Sequence, residues 1–189
     1  MNARVDLIGL AIVSADDAIA DARGDMPDGL RNEADWGHFQ TELDRADITL
    51  LGRIGHERHP NTKQRRRLVV SSSARALEVR PDGWWWNPAE CGWDEVTARL
   101  MPRGGRVAVP GGRRVFDLCL ALGYCEFHLS RATHCHLPGG VKLFTACASK
   151  PAEALLAEAG LQPRPLEWLD EAAGVSFSLW RRPAASPLT

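Results

Sequence analysis

VAVPGGRRVFDLCLALG, residues 107–123, passes from an apolar run through Pro-Gly-Gly into a segment with apolar residues at helical spacing. The first part reads as a buried strand and the last as a helix. Glycines at Gly111 and Gly112 let the backbone come close to a ligand, and the helix N-terminus offers unsatisfied N–H groups to an anion. A tight turn without a ligand would look the same, so this turn alone does not decide function. It does point to an α/β fold, because a strand feeding directly into a helix is the repeating unit of that class.

The same rhythm runs outward in both directions. Strands are expected at residues 5–13, 47–52, 67–72, 106–110, 126–133, 141–146 and 175–182, and helices at 32–45, 88–101, 113–122 and 151–159. Runs such as LVV and VAV are apolar on both faces, which calls for a mostly parallel central sheet with helices on both faces. The late pair near Val141 and Val175 is expected to form an antiparallel C-terminal edge. RPDGWWWNPAE, residues 80–90, reads as a loop, with Trp84 and Trp86 left to cover the sheet or a subunit contact of a homodimer. One domain over residues 1–182 with a tail at 183–189 is the expected organisation.

Of the 189 residues 44% are hydrophobic and 25% charged, and 23 basic against 24 acidic residues leave a net charge of -1. That balance gives no bulk attraction to nucleic acid or to an anionic membrane, so any anion site must be local. No apolar run of about 18 residues exists for a membrane span, and the first residues lack a signal-peptide cleavage pattern, so the cytoplasm is the expected address. Five cysteines at unpatterned spacings are expected to stay reduced, with Cys119 and Cys125 in the core. His134 and His136 fall on one face of an extended segment and Cys135 on the other, so only two ligands converge and no metal is expected. His56 and His59 sit in a polar loop.

Three strand ends carry the chemistry. LLGRIGHE ends a strand at Gly52 with Arg53 next, VVSSS ends one in the hydroxyls of Ser71 and Ser72 after the basic run Arg65-Arg66-Arg67, and the third is the Gly111 turn with Arg114. Ligands of α/β sheets collect at the carboxyl ends of strands. Arginine, serine and glycine there suit a cofactor with a pyrophosphate and an additional phosphate.

The remaining question is an acid among aromatics. In GDMPDGLRNEADWGHFQ, residues 24–40, Glu33 and Asp35 open a helix beside Trp36 and Phe39. They stand about 200° apart around that helix, so one pocket takes only one of them. Spacing i, i+4 puts Asp35 on the face of Phe39, whereas an acid in a first turn such as Glu33 is already accounted for by the helix dipole. Asp35 is the preferred candidate, with Glu33 kept as the alternative.

The ordered set of these pieces resembles the dihydrofolate reductase superfamily, which includes the reductase domain of riboflavin biosynthesis. IGLAIVSADDAIA is similar to its first strand and mobile loop, GDMP to the end of that loop, LRNEADWGHFQ to the helix with the catalytic acid, ITLLGR to its Gly-Arg turn, LVVSSS to the strand that holds the 2'-phosphate, and VAVPGGRRVF to the Gly-Gly turn. CEFHLSRA resembles the following strand, and LPGGVKLF is closer to the riboflavin branch. The resemblance implies NADPH held by Arg53, Gly55, Ser71, Ser72, Gly111, Gly112, Arg114 and Val115. It implies a pterin contacted by Ile12, Met26, Trp36, Phe39, Arg65 and Phe116. Hydride transfer to a C=N bond of a dihydropterin is the implied reaction, with the acid bonded to the pterin amino and ring N–H groups. Counting forward from MP, the family's pattern favours Glu33 for that acid. Asp28, Gly55 and Phe116 replace the Trp, Thr and Tyr usual in folate reductases, which brings dihydromethanopterin beside dihydrofolate as a substrate. A riboflavin-pathway pyrimidine is the alternative substrate, and a nucleotide-binding module without turnover is the alternative of another class.

Overall fold

The computed structural model describes residues 3–183; the expected tail lies outside them from residue 184 onward. In chain order the first half contains β1 (Val5–Ser14), β2 (Ala18–Ala20), α1 (Glu33–Asp44), β3 (Ile48–Gly52), α2 (Arg53–Arg58), β4 (Arg67–Val70), β5 (Leu77–Arg80) and β6 (Gly83–Trp86). The second half contains α3 (Trp93–Leu100), β7 (Gly105–Gly111), α4 (Arg113–Leu122), β8 (Glu126–Ala132), β9 (Val141–Lys142), α5 (Ala152–Glu158), β10 (Gln162–Pro163), β11 (Glu167–Asp170) and β12 (Val175–Arg181).

A ten-stranded sheet runs in the order β10-β12-β8-β1-β7-β3-β4-β6-β5, with β11 paired to β12. From β8 to β6 every neighbour is parallel, and β12 and β5 close the two sides antiparallel. The mostly parallel sheet and its antiparallel C-terminal edge are therefore as expected. Parallel neighbours need long crossovers, and α1, α2, α3 and α4 lie in four of them, while β5 lies in the one from β4 to β6. The helices α3, α4 and α5 bury apolar residues in one large core against one sheet face. The opposite face carries α1, whose Leu43 packs on Ile8, Leu10 and Ala108.

Three expectations are corrected. The triple-tryptophan segment is a strand, β6, because Trp85 on one face packs with Leu51 and Val69 while Trp86 on the other enters the main core. Trp86 is only 1% exposed, which removes it from any subunit contact. The strand expected at 141–146 stops at Lys142 and pairs with β2 in a separate two-stranded sheet; Leu143 and Phe144 then turn into the core, and residues 145–148 form a 3-10 turn. Residues 133–136 make a turn after β8, so His134, Cys135 and His136 do not share a strand. Among the described residues no group of three or more His, Cys, Asp or Glu is placed to hold a metal ion, and no helix is long and apolar enough to cross a membrane. All five thiols are free. Cys119 is fully buried, which pushes its thiol up to about 12, whereas Cys125 is only partly covered.

The centre of the main core is aromatic. Phe127 of β8 meets Tyr124 edge-on at 5.0 Å, Phe144 at 5.8 Å and Phe116 at 5.9 Å between ring centroids. The ring needs room on the neighbouring strand, and Gly9 of β1 provides it: a Cβ there would penetrate the Phe127 ring. Phe127 is wholly buried and cannot swing aside. Gly9→Ala is therefore expected to destabilise the fold by about 3 kcal/mol through overpacking, read as a lower midpoint in urea denaturation; a midpoint equal to that of the parent would show that the core relaxes around the added methyl.

Candidate active site

The carboxyl ends of β1, β3, β4 and β7 open on one cavity of 1080 Å³. Gly52 ends β3 and caps α2, so the chain turns at once into Arg53. Ser71 follows β4; its hydroxyl accepts from the Ser73 backbone N–H at 3.1 Å and lies 2.9 Å from the Ser73 hydroxyl. Ser72 next to it is exposed in the cavity. At the end of β7 the glycines take φ values of 134° at Gly111 and 68° at Gly112, a conformation that favours glycine. Gly112 caps α4, and a Cβ there would meet nothing within 4 Å, which leaves the turn open to the cavity. Val115 and Phe116, one turn into α4, are buried behind it.

The opposite wall belongs to α1. Asn32 caps this helix by accepting from the backbone N–H of Ala34 at 3.0 Å and of Asp35 at 3.1 Å, and its amide donates to Asp170 at 2.9 Å. The cap fixes the first turn and with it Asp35. Burial pushes the Asp35 carboxyl above its ordinary value of 3.8, while the Ser130 hydroxyl of β8 and the charge of His38 oppose the rise. Trp36 stacks on Phe39 at 5.5 Å and remains 59% exposed at the cavity. Ile12 and Met26 complete this end.

Of the residues expected to contact the cofactor or the substrate, all line this cavity except Glu33 and Arg65. Glu33 is exposed on the far side of α1, as its rotation from Asp35 requires. Arg65 donates to Asp44 at 2.6 Å and Gln40 at 2.7 Å, near the C-terminal end of α1. The reason is strand direction: the basic run precedes β4, so it lies at the amino end of the strand whose other end bears the serines. Arg66 and Arg67 likewise donate to backbone carbonyls, of Leu100 and His59.

His56 and His59 belong to α2 and its cap, not to a loop. The Nε2 of His56 lies 2.8 Å from Asp82, beside Trp85, which ties α2 to the β5–β6 turn. His59 lines the cavity.

Sequence reading missed Ser130, Arg31, Arg58 and Arg113. Ser130 was legible as a polar residue alternating with apolar ones along β8; Arg31 stands four residues before Asp35, and Arg58 is one turn beyond Arg53. Five arginines and two acids line the cavity, so it is locally cationic in a chain of near-zero net charge. Arg53 is paired with Glu57 at 3.0 Å and Arg58 with Asp25 at 3.4 Å, while Arg113 and Arg114 are exposed and have no ion pair among the described residues. A cradle of open glycine backbone, a helix N-terminus and unpaired arginines suits phosphate groups. A carboxyl beside an aromatic pair suits a flat ring with N–H donors.

No protein-family model matches the chain, and no curated protein sequence matches it. Among solved structures it is similar to dihydrofolate reductase from Enterococcus faecalis complexed with NADP(H) and RAB-propyl, with a TM-score of 0.66 at 14% identity over 96% of this chain and 99% of that one. It is also similar to a diaminohydroxyphosphoribosylaminopyrimidine deaminase/5-amino-6-(5-phosphoribosylamino)uracil reductase from Thermotoga maritima, with a TM-score of 0.61 at 15% identity over 95% of this chain and 57% of that one. A protein from Shewanella sp. PV-4 assigned to riboflavin biosynthesis gives 0.63 at 18% identity over 95% and 100%. At these identities the likeness is one of fold.

The raised carboxyl of Asp35 has a consequence for stability. The folded group holds its proton more tightly than the unfolded one, so stability falls as pH rises from 3.8 through the folded value, and the deficit persists at neutral pH. Asp35→Asn keeps the shape without the charge. We expect it to melt at a higher temperature than the parent at pH 7, with the difference closing as pH falls below 3.8; a variant that melts lower at pH 7 would show that the carboxylate is stabilising where it stands.

Proposed function

We propose that this chain, whose fold is that of the dihydrofolate reductases, is an NADPH-dependent reductase that moves a hydride to the C=N bond of a dihydropterin, dihydrofolate or dihydromethanopterin. The observation that carries this reading is the cavity itself, with the half-buried Asp35 at one end and the open Gly111 and Gly112 turn with its arginines at the other. NADPH, when bound, supplies the hydride. Gly111, Gly112 and the α4 N-terminus would hold its pyrophosphate, and Ser72, Arg53 and Arg114 its further phosphate.

The chain's own residues do the rest. Asp35, as the carboxylate, accepts hydrogen bonds from the amino and ring N–H groups of the pterin, and the proton that the ring nitrogen must gain is drawn from solvent through that bonded network. The Ser130 hydroxyl favours the charged form of that carboxyl. Trp36, Phe39, Met26 and Ile12 form the apolar wall against which a flat ring packs. Phe116 stands behind the glycine turn, with its ring 3.3 Å from where a Cβ at Gly111 would lie, so the backbone there cannot move away from the cofactor.

Arg31 and Arg58 favour a second reading. Both line the cavity on the side of α1 and the 21–26 loop, where they could take the phosphate of a riboflavin-pathway pyrimidine; the basic run at residues 65–67 is turned elsewhere. NADPH oxidation measured with dihydrofolate, dihydromethanopterin and that pyrimidine separates these readings. Turnover with a dihydropterin supports the first and turnover with the pyrimidine alone the second, while NADPH binding without any oxidation would leave a nucleotide-binding module.

Two variants sharpen the assignment. Asp35→Asn should lower turnover by about 10²-fold while NADPH affinity stays unchanged and Glu33→Gln remains close to the parent; a severe Glu33→Gln beside a mild Asp35→Asn would reverse the choice of acid. Arg53→Ala should weaken NADPH far more than NADH in a fluorescence titration. Equal losses would assign Arg53 to the pyrophosphate, or to its ion pair with Glu57.

A further inference from the structure

Between α1 and the sheet the chain sets polar side chains in two facing rows. Asp35, His38 and Glu42 share one stripe of the helix at i, i+3 and i+7. Ser130, His128 and Glu126 alternate along β8 and so share one face of the strand. The rows meet rung by rung. The Ser130 hydroxyl favours the charged form of Asp35, the Nε2 of His38 lies 2.9 Å from the Nδ1 of His128, and Arg106 of β7 joins Glu42 at 3.2 Å to Glu126 at 4.0 Å. Phe177 of β12 packs edge-on against His38 at 4.7 Å and beside His128 at 5.8 Å. The first rung opens on the large cavity and the last on a second cavity of 510 Å³.

Charge around the two imidazoles is unevenly compensated. At the second cavity, Glu42 faces Arg45 at 2.7 Å and Arg106 at 3.2 Å, and Glu126 faces Arg181 of β12 at 3.0 Å. Three guanidinium groups thus already balance these two carboxylates, although the Nε2 of His128 is 3.4 Å from Glu126. Among the described residues, the carboxylate near the pair without a guanidinium of its own is Asp35. A proton on the imidazole pair and a negative charge on Asp35 therefore stabilise each other.

We propose that His38 and His128 are positioning residues that set the charge state of Asp35, so that proton uptake by the pair holds Asp35 as the carboxylate that anchors the substrate ring. The proposal rests on the reading of Asp35 as the ring-binding acid. Burial keeps the His128 imidazole below its ordinary range, opposed by the nearby Glu42, so that ring gains its proton only on acidification. Over that interval the pair counteracts the protonation of Asp35. The 2.9 Å contact requires one ring nitrogen to donate and the other to accept, so the pair titrates as a unit.

Coupling of this kind is reciprocal, and both directions are measurable. In nitrogen-15 NMR of the ligand-free protein, the pH at which the imidazole pair takes up a proton should move lower in Asp35→Asn than in the parent, because the stabilising anion is gone. In pH profiles of kcat/KM with NADPH and dihydrofolate, His38→Asn should lose about fivefold at pH 5.5 and little at pH 8, since Asp35 then protonates at higher pH. An unchanged pair titration in Asp35→Asn would overturn the proposal, as would an activity loss in His38→Asn that is the same at every pH, which is the mark of a purely structural role. If dihydrofolate is not turned over, or His38→Asn does not fold, the titration of parent and Asp35→Asn decides the coupling alone, so failure of the reductase reading is distinguishable from failure of this one.

Discussion

β1 is hydrogen-bonded along both edges to parallel strands, β7 on one side and β8 on the other, and this double pairing sets the direction of the strands that build the site. Because strands from β8 to β6 all run the same way, their carboxyl ends share one edge of the sheet. Gly52, Ser71 and Gly111, far apart in the chain, meet there around one cavity. The pairing also explains the demand on Gly9. A strand enclosed on both sides cannot shift to make room for Phe127, so the room has to come from a missing side chain.

The two faces of the sheet are used differently. Apolar residues of α3, α4 and α5 close one face in a single core with the Phe127 cluster at its centre. On the other face α1 contributes Leu43 and Phe39 to a small apolar cluster and otherwise meets the strands through hydrogen-bonded polar side chains. Burying such groups is costly unless they are paired, and here His128 partners His38, and Arg106 and Arg45 partner Glu42. A helix held in this way trades some stability for a precise carboxyl position beside the cavity.

Composition says little about the charge a ligand would meet. The chain is almost neutral, yet five arginines face the cavity and two of them have no ion pair among the described residues. The cationic character arises from where strand ends and helix starts deliver their side chains. Conversely, the most conspicuous basic run, Arg65 to Arg67, contributes none of these arginines, because it stands at the wrong end of β4.

Local patterns in the sequence were enough to determine the α/β class, the strand end at Gly52, the strand-to-helix turn at Gly111, and the placement of Asp35 rather than Glu33 on the inward face of its helix. Each depends on short-range physics: apolar runs that need two covered faces, glycine conformations that other residues rarely adopt, and the rotation per residue of a helix. Contacts between distant segments were decided only by the tertiary structure. The tryptophan segment became a strand because β4 offered it a partner, the 141–146 segment stopped short because Leu143 and Phe144 had a core to enter, and Arg65 left the site because strand polarity carried it away. The pairing of His128 with His38 belongs to the same group, since a helix and a strand some ninety residues apart show their shared polar stripe only once the sheet has brought them face to face.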